Sequence, residues 1–90
     1  MDLKIIKLVN GDLIMGDASR SDEGTVVIDK PYTIKDFGQG PCVLPYELDR
    51  LLEPMTHISF QPYNMLWLKN LKDFPAVEIQ YISATTGIDL

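Results

Sequence analysis

The sequence predicts an all-β domain: a small, strongly bent, five-stranded antiparallel barrel that stays open along one edge. Short apolar runs alternate with turn signals along most of the 90 residues. Asn10-Gly11 separates the first two runs, and this pair is the strongest short hairpin signal because both residues tolerate positive φ. Gly16 stands alone inside the second run, where it lets a strand bend sharply or another backbone approach. Bent hairpins of this kind begin small barrels.

The first three strands are rich in aliphatic and β-branched residues. They are predicted at Leu3–Val9, Leu13–Ala18 and Thr25–Ile34. In the third strand, the larger apolar residues recur at period two and are expected on one face: Val26, Ile28, Tyr32 and Ile34. Pro31 has no N–H group, so it either interrupts this strand or lies at an unpaired edge.

The last two strands follow a long connection. The fourth runs from His57 to Leu68 with a break at Pro62, and the fifth from Ala76 to Ser83. Apolar residues alternate with polar ones in the fifth strand, as half-buried strands require. Residues 84–90 are predicted to form a loosely held tail, and the whole of residues 1–90 a single domain.

Residues 35–56 form an insertion between the third and fourth strands. It opens with a turn-rich segment, Asp36–Pro41. Pro45–Glu53 is predicted either as a short helix or as an ordered loop whose leucines cover the end of the barrel. The helix is favoured because Leu48, Leu51 and Leu52 have helical spacing and Pro54 would end it.

The charge and the cysteine content limit the binding partners and the cellular compartment that we expect for the protein. Thirteen acidic and eight basic residues give a net charge of −5, and the lysines are scattered along the sequence. This balance disfavours tight, non-specific nucleic-acid binding. A single cysteine, Cys42, excludes an internal disulfide. No apolar run is long enough for a bilayer and no signal peptide is evident, so we predict a cytoplasmic protein without a membrane partner.

The residues needed for catalysis are not assembled in this sequence. The one histidine, His57, cannot supply both a catalytic triad and a histidine-rich metal site. The segment Gly38–Pro41 lacks the lysine and the following helix of a phosphate loop. Acidic residues beside the second turn are typical turn formers. We therefore expect a protein that is not an enzyme and has no metal or cofactor.

The order of several residues resembles the first motif of the Sm-like (LSm and Hfq) family. Gly16 is followed by Asp22 and by the aliphatic residues 26–28, while Thr25 or its neighbour stands where RNA-binding members have an asparagine that contacts a base. Lys69–Asn70 is the closest match to the family's second motif. The chain is most similar to small Sm-like proteins of marine tailed phages, which implies a phage-encoded protein in the host cytoplasm.

The resemblance implies a homo-oligomeric ring of about five to seven copies, in which the fourth strand of one subunit pairs with the fifth strand of the next. Residues of two loops would then contact single-stranded RNA: Asp22, Thr25, Lys69 and Asn70. Aromatic and last-strand residues would line the subunit interface: Tyr63, Trp67, Val77 and Ile79. The expected function is weak RNA binding or an RNA-chaperone role. The alternative is a non-enzymatic assembly or adaptor ring, a phage structural or host-interaction component that binds no nucleic acid.

Overall fold

The computed structural model describes residues 2–36, 38, 40–46 and 57–87. Within these ranges the chain forms a six-stranded antiparallel sheet and one helix. The elements are β1 (Leu3–Leu8), β2 (Leu13–Arg20), β3 (Val26–Asp36), β4 (Pro41–Pro45), β5 (His57–Phe60), β6 (Met65–Asn70) and α1 (Pro75–Thr86). The strand order is β4-β3-β2-β1-β6, and β5 pairs with the first half of β3. Two 3₁₀ turns, Pro62–Asn64 and Leu71–Asp73, flank β6.

The first hairpin forms at the predicted Asn10-Gly11 signal. Gly11 has φ 97°, and its N–H donates to the Leu8 carbonyl at 2.9 Å. The Asn10 side-chain oxygen accepts the N–H of Asp12 at 2.9 Å, as turn asparagines commonly do. The predicted turn between β1 and β2 is confirmed.

The ladder between β2 and β3 contains a β-bulge. The register shifts by one residue between the pairs Met15–Tyr32 and Asp17–Asp29. As a result Gly16 alone lies opposite two residues, Lys30 and Pro31, and Lys30 adopts φ 50°. Bulged strands bend and twist more strongly than regular ones. Pro31 does not interrupt the strand; it lies in the bulge, where it pairs with no residue of β2.

The bulge corrects one prediction about the faces of β3. An extra residue reverses the alternation of side chains, so apolar residues before and after the bulge lie on opposite faces of the sheet. Val26 and Ile28 belong to one buried cluster, whereas Tyr32 and Ile34 pack against another. The expectation that all four share one face was wrong.

Both faces of the sheet are covered. The first core cluster contains Ile6, Leu8, Ile14, Val26, Ile28 and Phe60. The second contains Ile5, Met15, Leu71 and Tyr81. Neighbouring residues of β1, Ile5 and Ile6, are thus buried on opposite sides, as the pleat of a strand requires. Tyr81 of α1 meets Tyr32 edge to face, with ring centroids 5.5 Å apart.

The segment predicted as the fifth strand, Ala76–Ser83, lies within helix α1. Phe74, Val77 and Tyr81 are spaced by three and four residues, and all three pack into the second cluster. Pro75 at the first helical position and Gly87, with φ 74° at the C-terminal cap, bound the helix. The prediction of a loosely held tail over residues 84–90 was also wrong for residues 84–86, which belong to the helix.

The described part of the chain has six strands and a helix instead of the five predicted strands. Two strands, β6 and β4, differ from the prediction. The strand that pairs with β1 is β6, which had been predicted as the second half of the fourth strand. The predicted insertion contains β4, which pairs with the second half of β3. The helix or loop predicted over Pro45–Glu53 lies outside the described residues from position 47 onward. The predicted break at Pro62 is confirmed, since a 3₁₀ turn separates β5 from β6 there.

Gly16→Ala is expected to destabilise the protein, because a Cβ there would lie 2.5 Å from Ile28 Cγ2 and 2.6 Å from the Asp29 carbonyl oxygen. Overpacking of this kind costs about 1–3 kcal/mol or more when backbone must shift. Urea unfolding of the variant should show that loss. Gly11→Ala is the comparison, since its Cβ would meet no atom within 4 Å. It should lower the free energy of unfolding only by the cost of placing alanine at positive φ, about 1–2 kcal/mol. Equal stability of Gly16→Ala and the parent would contradict the close approach.

Alkaline pH should weaken the packing of α1. Burial raises the pKa of the Tyr81 hydroxyl to about 12, with contributions from Tyr32 and from the carboxylates of Asp17 and Asp29. The fold therefore favours the neutral hydroxyl, so this stabilisation is complete below pH 10 and is lost as the pH rises from about 10 to about 12. Thermal unfolding across that range should show a steeper decline for the parent than for Tyr81→Phe. Identical pH profiles would refute the assignment.

Candidate functional site: the edge strand and its neighbouring loops

β6 lies at the edge of the sheet. It pairs with β1 on one side, and no strand of the described part of the chain pairs with its other side. A bulge in its ladder, where Lys7 pairs with Trp67 and Leu8 with Met65, leaves Leu66 as an extra residue. Exposed strand edges present unpaired N–H and C=O groups that can bind another strand.

Exposed apolar side chains gather at the start of β6. Val9, Tyr63 and Leu66 are 58%, 77% and 61% exposed, and we call these three residues the edge patch. Val9 is held beside the 3₁₀ turn because its N–H donates to the Asn64 carbonyl at 2.9 Å. A cluster of exposed apolar residues beside an unpaired strand edge is typical of a protein–protein contact.

Tyr63 is presented by a rigid turn. The Asn64 side-chain oxygen accepts the Gln61 N–H at 3.0 Å, and the Asn64 N–H donates to the Gln61 carbonyl at 2.9 Å. Pro62 fixes the backbone at the first position of the turn. A large side chain on a rigid turn loses little conformational entropy when a partner covers it.

The β2–β3 turn lies beside that 3₁₀ turn. Ser21 N–H donates to the Thr25 carbonyl at 2.9 Å, and the Thr25 hydroxyl donates to Gln61 Oε1 at 3.3 Å. Asp22 is exposed on the same turn. Two of the predicted RNA contacts, Asp22 and Thr25, therefore lie next to the Gln61–Asn64 connection.

The other two predicted RNA contacts have different neighbours. Asn70 accepts a hydrogen bond from the ammonium group of Lys4, and the Lys69 ammonium lies 4.7 Å from the centre of the Trp67 ring. No hydrogen bond among the described residues joins Lys69 or Asn70 to the β2–β3 turn. Gln61–Asn64, and not Lys69–Asn70, is the short connection that contacts the β2–β3 turn.

The four predicted interface residues fall into two groups. Trp67 and Val77 pack inside the chain against the second cluster, and the Trp67 ring stacks on Phe74 with centroids 6.5 Å apart. Tyr63 is exposed in the edge patch, and Ile79 is 47% exposed on α1 rather than on a strand. The idea that Ile79 pairs with a neighbouring strand no longer applies.

Pairing of β1 with β6 brings distant lysines together. Lys7 lies directly opposite Trp67, and Lys69 opposite Ile5, so both lysines flank Trp67 on one face of the sheet. Lys72 follows in the next 3₁₀ turn. Sequence reasoning missed this grouping because it depends on which strand pairs with β1. The signal was the alternation Trp67-Leu68-Lys69 immediately before the chain turns.

Within the described residues, no group of three or more histidine, cysteine, aspartate or glutamate side chains is placed to hold a metal ion. Nor does that part of the chain contain a helix long and apolar enough to cross a membrane. The sequence matches no protein-family model and no curated protein. The geometry of β6 and its neighbours is therefore the basis on which a function is inferred.

Proposed function

We propose that this chain is a ring-forming protein of the Sm-like type, in which the free edge of β6 pairs with the free edge of β5 in the next copy. The edge patch is the observation that carries this proposal. It places two exposed apolar residues, Tyr63 and Leu66, on the segment whose outer edge has no partner in the described part of the chain, with Val9 exposed beside them on the β1 side. Head-to-tail pairing would satisfy one free edge on each side of every subunit.

The strand arrangement gives independent support. Among the described strands, β5 pairs only with β3 and β6 only with β1. The two strands on either side of the Gln61–Asn64 connection therefore lie at different edges of the sheet. The sheet bends at Gly16, where β2 and β3 approach closely. Among the described residues no ladder joins β5 to β6, so the sheet stays open between them. A small sheet of this size also gains buried area from pairing with copies of itself.

The activity proposed for the ring is weak binding of single-stranded RNA. The local lysines beside Trp67 favour it, since phosphate contacts and aromatic surfaces together bind single strands. A second candidate is an adaptor ring without nucleic acid. The net charge of −5 and the carboxylates Asp22 and Glu23 on the β2–β3 turn favour that second function.

Assembly is tested by the mass of the protein in solution. Light scattering after size exclusion should give a mass several times 10.2 kDa at micromolar concentration. Leu66→Asp should lower that mass towards one chain, because it places a carboxylate in the edge patch. Leu66 is 61% exposed, so the monomer should stay folded by circular dichroism.

Ile79→Asp is the matched control, because it adds the same charge at an exposed apolar residue away from β6. It should keep the mass of the parent. A parent that elutes as a monomer would exclude the ring. If only Ile79→Asp dissociates the assembly, the interface lies on α1 and edge pairing by β6 is wrong.

A further inference from the structure

The positive charge of this acidic chain is concentrated on its first and last strands. β1, β6 and the 3₁₀ turn after β6 carry four lysines and one carboxylate, although the whole chain has thirteen carboxylates and a net charge of −5. The lysines are Lys4, Lys7, Lys69 and Lys72, and the carboxylate is Asp73. Local charge of this kind attracts anions even when the net charge is negative.

Two of the four lysines have carboxylates nearby. The Lys4 ammonium lies 3.5 Å from an Asp2 carboxylate oxygen and also donates to Asn70. Lys72 lines a shallow pocket of about 260 Å³ together with Asp2 and Glu78. Lys7 and Lys69 form no ion pair with any residue that the structure describes. Of the four lysines, these two flank Trp67, so they are placed to bind an anion beside an aromatic ring.

An aromatic surface lies between Lys7 and Lys69. Trp67 is half-buried, with Lys7 opposite it on β1 and the Lys69 ammonium 4.7 Å from its ring centre. Phe74 supports the indole, since the two ring planes are inclined by only 14°. We call these four residues, Lys7, Trp67, Lys69 and Phe74, the lysine–tryptophan strip.

We propose that the lysine–tryptophan strip binds single-stranded nucleic acid, with phosphates at Lys7 and Lys69 and a base against Trp67. This inference rests on the RNA-binding part of the proposed function and assigns it to one face of β1 and β6. Single-strand sites elsewhere combine a cationic track with aromatic side chains on which bases stack. An acidic protein partner could bind the two lysines, but it would make no use of the flat aromatic ring between them.

The strip is a better site than the β2–β3 turn. Asp22 and Glu23 are both exposed on that turn, and their carboxylates repel phosphate. At the strip, a phosphate drawing the Lys69 ammonium away from Trp67 uncovers ring surface for a base. Binding of phosphate and stacking of the base are thus coupled through one side chain.

Two phosphate contacts predict a shallow salt dependence. For single strands the slope of log affinity against log salt is about −0.7 per contact, so two lysines give roughly −1.4. Affinity should then fall roughly sevenfold between 50 and 200 mM salt by the same relation. A steeper slope would mean that further cations take part.

The chain offers a direct reporter, because Trp67 is its only tryptophan. Fluorescein-labelled 15-residue oligouridine and oligoadenosine are titrated with the full chain at 50 and 200 mM salt, following anisotropy. Unlabelled oligonucleotide is added to the protein in parallel, following Trp67 emission. The expected result is saturable binding at 50 mM salt with a matching change in Trp67 emission.

Paired variants locate the site. Lys7→Ala/Lys69→Ala should reduce affinity at least to the level of the parent at 200 mM salt and flatten the salt slope. Lys30→Asn/Lys35→Ala is the matched control on β3, with asparagine chosen because Lys30 has φ 50°, a conformation that asparagine tolerates. Both double variants lower the net charge equally, so only position distinguishes them.

Three outcomes would overturn the inference. They are no binding at 50 mM salt, equal losses in the two double variants, and binding that leaves Trp67 emission unchanged. A fourth result would also overturn it: if polyglutamate competes as well as oligouridine, the strip binds acidic protein rather than nucleic acid. The mass of each variant, measured in parallel, separates this result from assembly: an oligomer without binding refutes the strip alone, and a monomer that binds refutes the ring alone.

Discussion

The close approach of Gly16 to β3 determines the shape of the whole sheet. No side chain fits there, because a Cβ would overlap Ile28 and the Asp29 carbonyl. Two residues of β3, Lys30 and Pro31, take up the space opposite this one glycine. The resulting bend lets a single strand serve two partners on one edge, β5 with its first half and β4 with its second.

The same bulge explains why the sheet needs a helix. Before the bulge, the large side chains of β3 enter the first cluster, and after it they enter the second, so both faces become apolar. α1 covers the second face, and the Tyr81 hydroxyl points to the Lys30 carbonyl at 3.4 Å. The C-terminal helix therefore packs over the irregular backbone that Gly16 makes necessary.

Local signals predicted the positions where the backbone turns, and non-local pairing determined the rest. Asn10-Gly11, Gly16, Pro31 and Pro62 act through their own φ angles or missing atoms, so their effects could be predicted from sequence. The alternation Val77, Ile79, Tyr81 fits a strand, whereas Phe74, Val77 and Tyr81 fit a helix. Only the presence of an apolar face on the sheet decides between them, and that face depends on the bulge.

Of the residues in the proposed strip, sequence alone suggested Lys69 as an RNA contact and Trp67 as a subunit contact, but not their relation to Lys7, which depends on the pairing of β1 with β6. That pairing also gives β6 two separate surfaces. No strand of the described residues pairs with its outer edge, while Trp67 and Lys69 lie on one face, with Phe74 stacked on Trp67. Pairing with a second copy would use backbone groups, whereas the proposed strip would use side chains. The two proposed roles of β6 would therefore not compete for the same atoms.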